Sequence, residues 1–111
     1  MPKKKIIKIT AFIQKFLNKR RIKVDKIILF GSYGRGDFTQ SSDVDIAIIS
    51  RDFEHKDVFE KARMLKGLNW SLVKAFVLPF DIVPMALSEW EDDSSLIAQF
   101  VHQGRQIPTA R

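Results

Sequence analysis

Two aspartates stand one residue apart in DVDIAIIS, Asp43 and Asp45, and a third, Asp81, lies in FDIV. On a strand, side chains two positions apart share a face, with backbone positions ~6.6 Å apart. Carboxylates placed so repel each other unless a cation lies between them, which suits a divalent metal pair holding attacking and leaving oxygens. The plain alternative is a turn or cap, where such pairs are common. Asp81 has Phe80, Ile82 and Val83 around it, and a charge among core residues is costly unless paired or metal-bound. An acid facing water from an edge strand is the bland reading of that position. Beside the other two, Asp81 would complete a three-carboxylate site as a ligand and as the base for an attacking hydroxyl.

Upstream, the strand-like VDKIILF ends in Gly31 and Ser32, followed by Arg35. Glycine lets the backbone approach an anion, and the amides after it can point at a phosphate. Ser32 adds a hydroxyl and Arg35 a guanidinium fork for the same anion. A simple turn explains the Gly-Ser pair alone equally well. No GxxxxGK[ST] occurs, and Gly31, Gly34 and Gly36 do not make GxGxxG, so the P-loop and dinucleotide folds are excluded. With no cysteine and two histidines, any metal is held by carboxylates, which selects Mg2+ or Mn2+ over zinc.

The elements that must position these residues follow from periodicity. Ile6, Ile9, Phe12, Ile13, Phe16 and Leu17 recur at helical spacing over residues 4–20, ending in Lys19-Arg20-Arg21. Residues 24–30 and 43–50 read as strands, the second open at its polar start and buried at its apolar end. A polar loop over 51–56 leads to one long helix over 57–76, with Val58, Ala62, Leu65, Leu68, Leu72 and Phe76 on its stripe and Gly67 as a possible kink. Residues 80–87 form a third strand, which Pro84 confines to a sheet edge. Ser94 or Ser95 caps a last helix with Leu96, Ile97, Phe100 and Val101 buried and Gly104 as its stop. The tail from Arg105 has little to hold it. The order helix, strand, strand, helix, strand, helix predicts an α/β or α+β domain: a small mixed sheet of at least three strands flanked by helices.

Composition narrows the class. At 111 residues the chain is expected to be a single domain, 1–111, and no apolar run reaches the ~18 residues of a membrane span. No apolar stretch follows the basic start as in a signal peptide, so a cytoplasmic protein is expected. The net charge is +6, and ten of the 19 basic residues fall between Lys3 and Lys26, with only Asp25 among them. That charge suits a nucleotide, a nucleic acid or an acidic protein surface, and a solvated helix face equally.

Taken together, Gly31-Ser32, ten intervening residues, Asp43-x-Asp45 entering an apolar strand and a later Asp81 resemble the nucleotidyltransferase signature of the DNA polymerase beta superfamily. The likeness runs over about residues 27–85, and the ending HQGRQI resembles how its small members close. It implies the polymerase-beta-like fold and a transfer of a nucleoside monophosphate from a triphosphate to a hydroxyl, with two Mg2+ (or Mn2+) ions and release of pyrophosphate. By position, Gly31, Ser32 and Arg35 would bind the nucleotide, Asp43 and Asp45 both metals, and Asp81 the catalytic metal and the acceptor proton. The sequence most resembles the minimal nucleotidyltransferases that pair with HEPN ribonuclease toxins. That resemblance implies an antitoxin moving AMP from ATP to a tyrosine of the toxin, in a hetero-oligomer. A module that neutralises a toxin by binding alone is the alternative, and a nucleic-acid partner is the less favoured one. The basic first helix and Leu96, Ile97 and Phe100 are the candidate contact surfaces.

Overall fold

In the computed structural model, which describes residues 1–109, the first apolar stripe becomes α1 (Lys3–Lys19), with Ile9, Ile13 and Leu17 buried. Next come β1 (Lys26–Phe30), the short α2 (Gly31–Arg35) and β2 (Val44–Ser50). A 3-10 turn, Arg51–Phe53, leads to α3 (Val58–Met64) and α4 (Leu68–Phe76). The chain then runs through β3 (Phe80–Ala86), α5 (Leu87–Trp90), α6 (Leu96–His102) and β4 (Arg105–Ile107).

The sheet order is β3-β2-β1-β4. β1 pairs antiparallel with β2 and β4, whereas β2 and β3 run parallel. This is the mixed sheet expected. A parallel neighbour needs a long crossover, which α3 and α4 supply. β3 is an edge strand, so Pro84 costs no ladder bond to a further strand.

Alternation along the strands builds two cores. Ile27, Leu29, Val44, Ile46, Ile48 and Phe80 face α1 and α4 in the larger one, with Ile9, Ile13, Leu17, Leu68 and Leu72. Ile28, Phe30, Ala47, Ile49 and Met85 face the other way and meet Ala98 and Val101 of α6.

Four local expectations are corrected. The long helix is two helices, because Gly67 adopts φ +87 as the N-cap of α4, a conformation open to glycine at little cost. Val58 is 77% exposed at the first turn of α3, where Asp57 and Glu60 close a capping box, so it is not on a buried stripe. The 51–56 segment is not wholly polar: Phe53 is fully buried, and the Ser50 side chain accepts from the Asp52 amide to turn it inward. Arg105–Ile107 is held after all, as β4 against β1. Three residues are too few to show a period, and their pairing partner lies far upstream.

α6 also departs from expectation. Ala98 and Val101 are buried, but Leu96, Ile97 and Phe100 are 81%, 45% and 43% exposed. A seven-residue helix lying on a sheet hides only one narrow stripe, and these three fall outside it.

Candidate active site

Asp45 and Asp81 are direct neighbours across the parallel β2–β3 pair. Val44 and Ile46, and Phe80 and Ile82, flank them on the large-core face. Both aspartates therefore point to the opposite face, near the sheet end where β1 hands over to α2. Asp43 lies one residue outside β2, two positions before Asp45 and thus on the same side. Asp43 and Asp81 are exposed; Asp45 is half-buried.

The electrostatics follow from that placement. Burial pushes the Asp45 carboxyl above its ordinary range, the nearby Asp81 and Asp43 carboxylates push it further, and Arg35 opposes them. Like charges held this close fit a divalent cation, which would remove both the repulsion and the cost of burial. Among the described residues no three His, Cys, Asp or Glu side chains already stand as a closed cation site. Asp45 and Asp81 are register partners, and Asp43 precedes Asp45 by two positions.

Gly31 forms the wall behind them. It adopts φ +67, and a Cβ there would overlap Oδ2 of Asp45. Any other residue would displace the carboxylate and strain the backbone. α2 starts at this glycine, and no side chain caps its N-terminus. Ser32 lies in its first turn; the backbone carbonyl accepts from the amides of Gly36 and Asp37, and the hydroxyl has no partner among the described residues. Arg35 donates from Nε to Asp37 Oδ2 at 3.2 Å, a pair about half exposed on both sides. An incoming anion would compete with Asp37 for that guanidinium.

Other residues shape the site without having been singled out as doing so. A Cβ on Gly34 would lie 2.5 Å from the Leu29 carbonyl oxygen, and one on Gly104 would lie 2.5 Å from the same atom. Both glycines thus let α2 and the α6–β4 turn close on the end of β1. Tyr33 stacks on Phe38, with centroids 4.4 Å apart, and anchors the segment leading to Asp43. Asn69 donates from Nδ2 to the Phe80 carbonyl at 2.9 Å, which fixes the start of β3 beside Asp81. The glycines themselves are the sequence sign of the first pair, one in the Gly-rich stretch after β1 and one at the stop of the last helix; nothing local marks Asn69. A cleft lined by Val58, Ala62, Leu65 and Pro84 opens beside Asp81.

Comparisons with known proteins bear on the family and the fold. The family model described as a nucleotidyltransferase domain matches residues 4–107. A Methanocaldococcus jannaschii protein named "Putative protein adenylyltransferase" is 48% identical over 48 residues, covering 42% of this chain and 48% of that protein. The chain therefore spans about half the length of that relative. Among solved structures, a toxin–antitoxin with AMP-PNP aligns with TM-score 0.61 at 26% identity, over 92% of this chain and 74% of that one. A mutant of the toxin–antitoxin MntA-HpeT aligns with TM-score 0.58 at 28% identity, over 100% of this chain and 75% of that one.

Proposed function

Because this chain belongs to the nucleotidyltransferase domain family, we propose that it is a single minimal domain that moves AMP from ATP to a hydroxyl of a partner protein. The acceptor is a tyrosine of a HEPN-type toxin, so the chain acts as an antitoxin in a cytoplasmic hetero-oligomer. The observation that carries this reading is the register that sets Asp45 beside Asp81, with Asp43 on the same side and Gly31 against them.

Each residue has a task in the transfer. Gly31 and the amides opening α2 face the triphosphate, the Ser32 hydroxyl donates to a phosphate oxygen, and Arg35 leaves Asp37 to pair with the same group. Asp43, Asp45 and Asp81 would hold two Mg2+ ions, which supply charge neutralisation at the transferring phosphoryl group and the leaving pyrophosphate. Asp81, exposed on the edge strand, accepts the proton as the acceptor oxygen bonds to the α-phosphorus and the bond to pyrophosphate breaks.

Support for the adenylyl group and for a toxin partner comes from the names of the similar proteins, an adenylyltransferase and toxin–antitoxin structures, one with AMP-PNP. The test is transfer from α-labelled ATP with Mg2+ to the protein encoded beside this chain, with the Asp43→Asn/Asp45→Asn variant as control. Label on a tyrosine, absent with the variant, is expected. Absence of label from every protein present would sink the enzymatic reading. Full restraint of the partner by the unreactive variant would favour neutralisation by binding alone.

A further inference from the structure

Away from the aspartates, on the opposite face of the sheet, α1 carries charge of one sign. No acidic residue precedes Asp25, whereas nine basic residues do. Lys4, Lys8, Lys15 and Lys19 follow one another at offsets of four, seven and four, which keeps them on one side of the helix. All four are exposed, opposite the buried Ile9, Ile13 and Leu17. Fifteen residues separate the first from the last, so the row is about 22 Å long. Arg20, Arg21, Arg63 and Lys66 border a surface depression that extends it beyond the helix end, with Asp52 the one acid there.

This arrangement is unfavourable to the isolated fold. Lys3, Lys4 and Lys5 sit in the first turn with no acid beside them, against the helix dipole. Lys4 and Lys8, and Lys15 and Lys19, are like-charged neighbours four apart, a destabilising spacing. The ion pairs of the described residues are Arg35–Asp37, Arg51–Asp25 and Lys61–Glu89, none of which involves α1. A surface kept only for solubility would intersperse both signs.

We propose that the outer face of α1 binds the phosphate backbone of a nucleic-acid duplex, without reading its sequence. A phosphate backbone demands only a row of cations, and here the row is lysine, a point charge. Protein interfaces instead are depleted of lysine and centre on apolar or aromatic anchors. The one large apolar side chain exposed on α1, Ile7, leans away into the groove against β4. Insertion into a membrane is excluded because the apolar side of α1 that would insert is packed in the core. Single strands need exposed aromatic platforms, and the aromatic rings of α1, Phe12 and Phe16, are half-buried. This inference requires no activity at the aspartates.

The experiment is fluorescence anisotropy with a 20-base-pair RNA duplex, the matching DNA duplex, the single strand and polyglutamate, each across a salt series. Binding of at least one duplex is expected, insensitive to its sequence and steeply salt-dependent. Lys8→Ala/Lys15→Ala should reduce the slope of log K against log salt by roughly 1.8, at about 0.9 per lost phosphate contact. Lys56→Ala/Lys74→Ala removes the same charge elsewhere on the exposed surface and should leave the slope unchanged. Alanine favours helix, so the Lys8/Lys15 variant keeps its circular dichroism and its Tm is not lowered. No duplex binding at low salt, equal loss in the two double variants, or tighter binding of polyglutamate or single strand would each overturn the proposal.

Discussion

On the face of the sheet covered by α1 and α4, Ile13, Leu17, Leu68 and Leu72 are completely buried against Ile27, Val44, Ile46 and Ile48. On the other face the core is thinner, ending at Ala98 and Val101, and beyond it lie exposed Leu96, Ile97 and Phe100. The aspartates sit at the margin of this thin face, where burial is partial and like charges stand together. The difference separates tasks by position. A thick apolar layer on one side holds the sheet rigid, and the other side can then keep carboxylates in an arrangement that works against stability.

The strongest challenge to this division is Ile13→Ala. It should lower stability by about 2–5 kcal/mol, as large-to-small core changes do, read as a fall in Tm or denaturant midpoint. Under conditions where the variant stays folded, ATP affinity should be unchanged; a parallel loss would show that the two faces are not separate.

Asp45→Asn should act in the opposite sense on stability. Transfer activity is expected to fall by at least ~100-fold, since even the outer-shell partners of metal ligands reach that range. Tm at neutral pH, without divalent ions, should rise. The sign follows from the raised pKa of Asp45 in the folded chain. Between the ordinary carboxylate value and that raised value the native state binds more protons than the unfolded one. This contribution to stability therefore falls as pH rises through that interval, and above it the repulsion is fully present. The variant should lack this pH dependence, and Mg2+ should raise the Tm of the wild-type chain more than that of the variant. A lower Tm for Asp45→Asn would refute the stored repulsion.

The smallest effect is expected at the outer side of α6. Leu96→Ser should change stability by less than ~0.5 kcal/mol, as an exposed position allows. Partner capture in a pull-down with the product of the neighbouring gene should weaken if this side is the contact surface. A large loss of stability would place Leu96 in the core, contrary to its exposure.

Much of the fold is legible in periodicity. The stripe of α1, the doubly buried β1 and the edge position imposed by Pro84 follow from residue spacing and the chemistry of proline. Of the site, the strand break at Gly31-Ser32 and the common side of Asp43 and Asp45 are equally local. The exposure of Leu96, Ile97 and Phe100 was not legible, because a short apolar run looks the same whether a neighbour covers it or not. Nor was β4, whose pairing with β1 spans most of the chain.

What the sequence by itself determined is α1, the first three strands and the direction in which their side chains alternate, since these depend on residues a few positions apart. What only the tertiary structure decided is which distant positions meet. Asp81 stands beside Asp45 because packing of the α3–α4 crossover sets the β2–β3 register, and a slip of one residue would turn Asp81 to the other face. Gly31 touches Asp45 because the antiparallel β1–β2 pair brings Phe30 opposite it. Register is a sum over many nonlocal contacts, and no stretch of the chain contains it alone.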